Sequence, residues 1–245
     1  GVVNVRDAYF DTRFSDAFRV RLGKAKVPFS YDRNLLIVNI LFVERGVTTT
    51  VAPDRDTGIQ VLGDLAGNTV SYAASLTNGV IDGGSSDLDA NDGKSVAGRL
   101  IVRPWARKAA HRLSGLGMAV AADTGTQSGG LPSFVTSGRQ TFFSYAGATA
   151  EGRRNRWSPQ AFYYRGPFGA YGEYVHSEGG VVKGPRRADV AHDAWQVAAS
   201  WVITGEAAGE RNVRPKVNFD PPTHHWGAWQ VAGRYQALAV GTNAV

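Results

Sequence analysis

Between Trp195 and Thr204 the side chains alternate with period two. Trp195, Val197, Ala199, Trp201 and Ile203 fall on one side, and Gln196, Ala198, Ser200 and Thr204 on the other. Period two is the side-chain repeat of a β-strand, so this segment is a strand with one apolar and one polar face. An aromatic near each end of the apolar face suits a strand that crosses a bilayer, where outward aromatics gather at both interfaces. A soluble sandwich strand carries the same alternation, so the constraint comes from recurrence: about ten segments of the chain repeat it.

These segments follow one another as hairpins. Segment 5–14 sets Ala8, Phe10, Thr12 and Phe14 against Asp7, Tyr9, Asp11 and Arg13, and Ser15-Asp16 turns the chain into 18–22, where Arg19 and Arg21 oppose the apolar set. Segments 57–66 and 69–78 flank Gly67-Asn68, a strong two-residue turn signal. Segment 95–104 points Val96, Leu100 and Val102 one way and Arg99 and Arg103 the other. Segment 114–123 is small and glycine-rich, and 156–165 and 168–176 flank Gly166-Pro167. Segments 194–204 and 226–238 close the series, the last with Trp229, Val231 and Tyr235 against Gln230, Arg234 and Gln236. Segment 139–146 reads either as a strand or as part of a loop, so ten or eleven strands are expected. Short turns (15–16, 67–68, 166–167) alternate with long polar connections (27–56, 79–94, 123–138), and only the long 205–225 breaks that rhythm.

The pattern predicts an all-β, antiparallel transmembrane β-barrel in a single domain. Composition agrees. No run of 18 apolar residues exists, and the longest apolar stretch, 35–43, is interrupted by Asn39, so no transmembrane helix is expected. Barrels hide their hydrophobicity in alternation, so that absence does not make the chain soluble. Cysteine is absent, which excludes a disulfide framework and thiolate metal sites. Gly1-Val2-Val3-Asn4 reads as the start of a strand, and nothing resembling a closing strand precedes Val245. A sheet edge in hydrocarbon leaves backbone groups unpaired, so further strands are expected beyond one or both ends.

The formal charge is +6, and of the 27 basic residues 21 are Arg and 6 Lys. Arginine presents a planar fork of donors that matches phosphate and carboxylate. Nucleic acid is disfavoured as a partner, because the arginines are spread singly over strands rather than gathered on one helix or arm. Enzymatic readings find no support. The five histidines show no metal spacing beyond His224-His225, which face opposite ways in a strand, and Ser85-Ser86 lacks a strand–elbow–helix context. The glycine-rich loops lack the Gly-Lys-Ser/Thr of a phosphate-binding loop. No cofactor and no metal are expected.

Several stretches resemble the phosphate-selective porin family of the outer membrane. They are Leu22-Gly23-Lys24-Ala25-Lys26-Val27-Pro28-Phe29, Phe42-Val43-Glu44-Arg45, Pro53-Asp54-Arg55-Asp56-Thr57-Gly58-Ile59-Gln60, and Arg156-Trp157-Ser158-Pro159-Gln160-Ala161-Phe162-Tyr163-Tyr164 with Gly166-Pro167-Phe168-Gly169. Thr204-Gly205-Glu206 and Trp226-Gly227-Ala228-Trp229-Gln230 complete the set, in an order that spans most of the chain. The resemblance implies a sixteen-stranded trimeric barrel in the outer membrane of a Gram-negative bacterium, of which this chain would form the middle. It also implies an inward-folding constriction loop, here 27–56, carrying Arg33, Glu44, Arg45 and Arg55, with apolar 35–43 against the inner wall.

The anion path in such a barrel would be lined by basic residues. Side-chain parity selects Arg19, Arg21, Arg99, Arg103 and Arg234, because a charge facing lipid near the midplane costs about 2–4 kcal/mol. Each of them could instead be solvated at the rim or paired with Asp11, Asp64 or Glu173. Arg153, Arg154 and Arg156 form a cluster suited to a funnel at a loop end. Lys24 and Lys26 have the opposite parity from Arg21 unless Gly23 marks a bulge, and they read as rim or constriction residues. The function expected is passive diffusion of inorganic phosphate, polyphosphate or other small anions. A structural barrel anchoring a surface layer with incidental conductance is the alternative, and a soluble all-β carbohydrate-binding domain is a third.

Overall fold

A computed structural model describes residues 5–85, 93–136 and 140–243. The strand start read at 1–4, Ser86 of the glycine–serine run, Arg139, and Ala244-Val245 lie outside the described residues. Ten strands make one sheet in which spatial order follows chain order. They are β1 (Ala8–Arg13), β2 (Arg19–Lys26), β3 (Arg55–Leu65), β4 (Val70–Thr77), β5 (Ser95–Val102) and β6 (Leu116–Gly130), followed by β9 (Thr149–Arg165), β10 (Phe168–Lys183), β11 (Arg186–Val202) and β12 (Gln230–Val240). Every neighbouring pair is antiparallel. Between β6 and β9 a separate two-stranded ribbon joins β7 (Phe134–Val135) to β8 (Thr141–Phe143), so part of the ambiguous 139–146 is a short strand outside the main sheet.

The alternation that marks the strands also sorts their faces. Phe10, Leu22, Ile59, Leu76, Val96, Leu100, Val120, Val197, Trp201, Val231 and Tyr235 all stand exposed on the apolar face. Aromatics pair across strands there, Phe168 with Trp201 (6.1 Å), Trp157 with Tyr174 (5.1 Å) and Trp195 with Tyr235 (5.4 Å). Trp195 and Trp201 therefore mark two levels about 20 Å apart along the strand.

Several strands run further than the alternation indicates. β2 continues beyond Leu22, β6 beyond Asp123 and β10 beyond His176, while β9 begins before Arg156 and β11 before Ala194. The stretch Ser177-Glu178-Gly179-Gly180 is polar on both faces, so hydrophobic periodicity falls silent, yet the ladder continues from Phe168↔Trp201 to Lys183↔Arg186. Gly184, at φ 58°, closes that hairpin with Pro185 in a two-residue turn. Connection lengths consequently do not alternate. The tight 184–185 turn lies at the same end as the long 27–54, and the long 103–115 and 203–229 lie at the end of the short turns.

The core lies on the polar face and is built by the connection 27–54. Val27, Phe29, Val51 and Ala52 pack on Ala97, Ala121, Val175 and Ala194 of the sheet, with Phe134 from the ribbon. Tyr31 packs on Phe162, Tyr171 and Ala198, joined by Leu35, Leu41 and Phe42. The stretch 35–43 does not pack as one apolar surface: Leu36, Ile37, Val38 and Val43 are exposed. A single-turn 3-10 helix at Ile37–Asn39 carries them away from the wall, since consecutive residues of a run cannot all face one side.

Candidate functional site

A row of polar side chains crosses four strands and carries the inserted segment. Gln160 on β9, Glu173 on β10, Gln196 on β11 and Gln236 on β12 are direct cross-strand partners in sequence. Each meets a group of 27–54. Gln160 Nε2 donates to Phe29 O (2.7 Å), Glu173 accepts from Tyr31 N (2.7 Å) and Thr48 Oγ1 (3.0 Å), and Gln236 Oε1 accepts from Val47 N (3.0 Å). Gln196 Nε2 donates to Thr48 Oγ1 (3.0 Å) and Asp32 Oδ2 (3.2 Å). Gln160, Glu173 and Gln196 are buried and Gln236 is half-buried, so partners must be found within the protein, and backbone and side-chain groups of the segment supply them. The short helix α1 (Tyr31–Asn34), capped by Ser30, turns its first amides toward Glu173. Asp32 ties the segment to itself by accepting from Gly46 N (2.7 Å) and pairing with Arg45 (3.3 Å).

The basic residues divide by their partners. Arg19 and Arg21 both lie on the polar face and share Asp11, at 3.1 and 2.8 Å, and Arg21 also covers the Tyr9 ring at 4.2 Å. Arg234 donates to Glu44 O (2.9 Å), pairs with the Glu44 carboxylate at 4.0 Å and stands over Phe42 (4.6 Å). Within the inserted segment Arg33 reaches Thr49 O (2.6 Å), Gly83 O (3.1 Å) and Asp54 (3.4 Å). Burial pushes the Arg33 guanidinium below its ordinary range, with Asp54 opposing. Arg55, expected in the loop 27–56, is instead the first residue of β3, paired with Lys26, and bridges Asp7 (3.0 Å) and Asp54 (3.0 Å). The hydrogen bond from Arg55 holds the Asp7 carboxyl below its usual value. Lys24 Nζ donates to Val5 O (2.9 Å) and Lys26 Nζ to Leu35 O (2.6 Å). Gly23 has φ 121°, but no register shift accompanies it against β1 or β3.

The cluster at 153–156 is not assembled as a funnel. Arg153 is exposed on the opposite face of β9 from Arg154 and Arg156, as alternation requires. Arg154 and Arg156 are both buried, where Arg156 meets Asp82 (2.7 Å) and Asp123 (2.5 Å) and Arg154 meets Asp82 (3.3 Å). Burial alone would raise the Asp82 carboxyl, but the two guanidiniums hold it below the usual aspartate value. Glu173 is likewise no exposed lining charge, since the inserted segment covers it.

Arg99 and Arg103 differ from the rest. Arg99 lies on β5 and Arg103 just past its end, four residues and about 13 Å along the chain, and neither makes an ion pair among the described residues. Arg99 Nε donates to Gln160 Oε1 (2.9 Å), and its guanidinium lies 5.9 Å from the Tyr31 ring. Arg103 Nη1 donates to Ser71 Oγ (3.0 Å), which itself donates to Asp64 (2.6 Å), and it lies 5.4 Å from the Phe162 ring. A cavity of about 190 Å³ opens beside Arg99, lined by Pro28, Asn34, Asp64, Ser71, Tyr72 and Arg99 itself. A larger one of about 550 Å³ separates 35–41 from the long connection 203–229, with Tyr164, Tyr171, Glu210 and Arg211 in its wall.

Four members of this site were not singled out by parity: Asp32, Asp82, Gln196 and Gly46. Gln196 sits in the opening alternation and Gly46 adjoins Arg45, but what they touch is fixed by a segment distant in sequence. A Cβ on Gly46 would lie 1.7 Å from Gln196 Oε1, so glycine there allows the close approach.

No curated protein matches the chain. The model of the family described as phosphate-selective porin O and P matches residues 1–244, the whole length but for the last residue. A non-enzymatic channel family built on an antiparallel transmembrane barrel accounts for the hairpin meander, the apolar outer face and the polar inner one. The chain belongs to the phosphate-selective porin O and P family.

Proposed function

We propose that the protein is an outer-membrane porin that passes small anions, inorganic phosphate or polyphosphate among them, by passive diffusion through a water-filled lumen, with the barrel assembling as a trimer in the Gram-negative outer membrane. The polar face is the lumen wall and 27–54 is the constriction. The observation that carries this reading is the pair Arg99 and Arg103, two guanidiniums on the polar face, free of ion pairs among the described residues, with open space beside Arg99 and beside Ser71, the partner of Arg103. Their forks replace part of an anion's hydration, and their spacing allows it to be handed from one to the next. Gln160 and Ser71 hold the two side chains by accepting hydrogen bonds, and the nearest carboxylates stand outside ion-pair distance, Asp64 reaching Arg103 only through Ser71 and Glu173 and Glu210 acting on Arg99 from further off.

The remaining candidates are largely neutralised. Arg19, Arg21, Arg33, Arg45, Arg55, Arg154, Arg156 and Arg234 all have carboxylate partners. That degree of pairing favours one second reading, a structural barrel that anchors a surface layer and conducts incidentally. Reversal potentials across a bilayer in a potassium chloride gradient decide between them. Arg99→Glu with Arg103→Glu is expected to shift the potential away from anion selectivity. An unchanged potential in the folded double variant overturns the assignment of these arginines and leaves the scaffold.

A further inference from the structure

A second segment folds onto the polar face, and it carries the buried carboxylate of Asp82. Three wall side chains converge on that group: Arg156 Nε (2.7 Å), Arg154 Nη1 (3.3 Å) and Ser177 Oγ (2.8 Å). The backbone next to it is pinned as well, since Val80 O accepts from Arg156 Nη2 (2.6 Å) and Gln127 Nε2 (2.8 Å). Arg156 is completed by Asp123 at 2.5 Å, so two guanidiniums face two carboxylates and the cluster has no charge left for a passing anion.

The residues that follow grip the inserted segment at groups other than those held by the Gln160–Glu173–Gln196–Gln236 row. Gly83 N donates to Ala52 O (3.0 Å), and Asp54 N donates to Gly84 O (3.0 Å). Arg33 Nη2 donates to Gly83 O (3.1 Å), and Ser85 Oγ to Asp54 Oδ2 (3.2 Å). Segment 27–54 is therefore held at two places. One is the polar row on β9 to β12, and the other is a strap whose fixed point is Asp82.

We infer that Asp82 is a positioning residue that sets the width of the channel: it locks the strap 79–85 to Arg154, Arg156 and Ser177, and the strap holds 27–54 in place. The inference rests on the channel reading above. It assigns Arg154 and Arg156 a mechanical role rather than a place in the anion path. Arg99 is tied to Gln160 and not to the strap, so releasing the strap changes the width while leaving the sign of the selectivity intact.

The test is single-channel recording on the full native protein and two variants. Asp82→Asn removes the charge that both guanidiniums face. It is expected to raise unit conductance about twofold or more, with added open-channel noise and retained anion preference. The second variant combines Asp82→Cys with Ser177→Cys, a unique pair in a chain without cysteine. Oxidised, it is expected to conduct like the wild type, and reductant is expected to convert it reversibly to the wide, noisy state. That reversible readout also decides the matter should Asp82→Asn fail to insert. Wild-type anion current with a double-cysteine variant indifferent to reductant overturns the inference alone. Wild-type protein that passes no anion current overturns the channel reading and the inference with it.

Discussion

At the scale of single residues, what a polar side chain does is decided by what the inserted segment brings to it. Gln196, Glu173 and Gln160 are buried because backbone amides, carbonyls and hydroxyls of 27–54 meet them. Two predictions belong here. Gly46→Ala places a methyl carbon 1.7 Å from Gln196 Oε1, whose side chain is confined by Asp32, Thr48 and Glu173. The strain expected is about 1–3 kcal/mol, relieved by displacement of the segment. Faster trypsin cleavage at Arg33 and Arg45 in the assembled protein measures it, and an unchanged cleavage rate contradicts it. Arg156→Ala leaves Asp82 and Asp123 buried against a missing partner and is expected to destabilise by about 3–5 kcal/mol. Denaturant midpoints read this directly, and a loss below 1 kcal/mol would show the cluster to be solvated.

At the scale of elements, the strands were legible and the inserted segments only partly so. Period-two alternation located all ten strands of the sheet because a bilayer-facing sheet requires apolar residues on one side. It failed at 124–130, 149–155 and 177–193, where β6, β9, β10 and β11 continue without a sustained alternation to mark them. Parity put Arg19, Arg21, Arg99, Arg103 and Arg234 on the polar face, but it says nothing about which of them a carboxylate will meet. Asp11 sits across from Arg21 within one hairpin, a pairing already visible in sequence, whereas Asp82 reaches Arg156 from 74 positions away. The face assignment has its own test. Val197→Arg places a cation on the exposed apolar face of β11 and is expected to cost about 2–4 kcal/mol, with a much smaller effect for Ser200→Arg at the end of the polar face. Unfolding from lipid vesicles compares them, and equal losses would reverse the two faces.

The strap also has a pH signature. The Asp82 carboxyl is held below its ordinary value of 3.8 by Arg154 and Arg156 in spite of burial. A depressed acid contributes stability that is complete above its unfolded value and is lost as pH falls through the folded one. Unit conductance should thus stay flat from neutral pH down to about pH 4 as far as the strap is concerned. Widening is expected only in stronger acid, and a conductance rise centred near neutral pH would show that another group controls the segment.

At the scale of the whole molecule, the formal charge of +6 gives little guide to the field inside the barrel. Ion pairs consume most of the arginines that parity sends to the polar face, and Arg99 and Arg103 remain. We propose that this residual pair makes a lumenal site for phosphate. Single-channel recording of the native protein in chloride, with inorganic phosphate titrated in, tests it most directly. Anion-selective current that low concentrations of phosphate block is the result expected. Current indifferent to phosphate would contradict the site, and folded protein with no current at all would leave the barrel a scaffold.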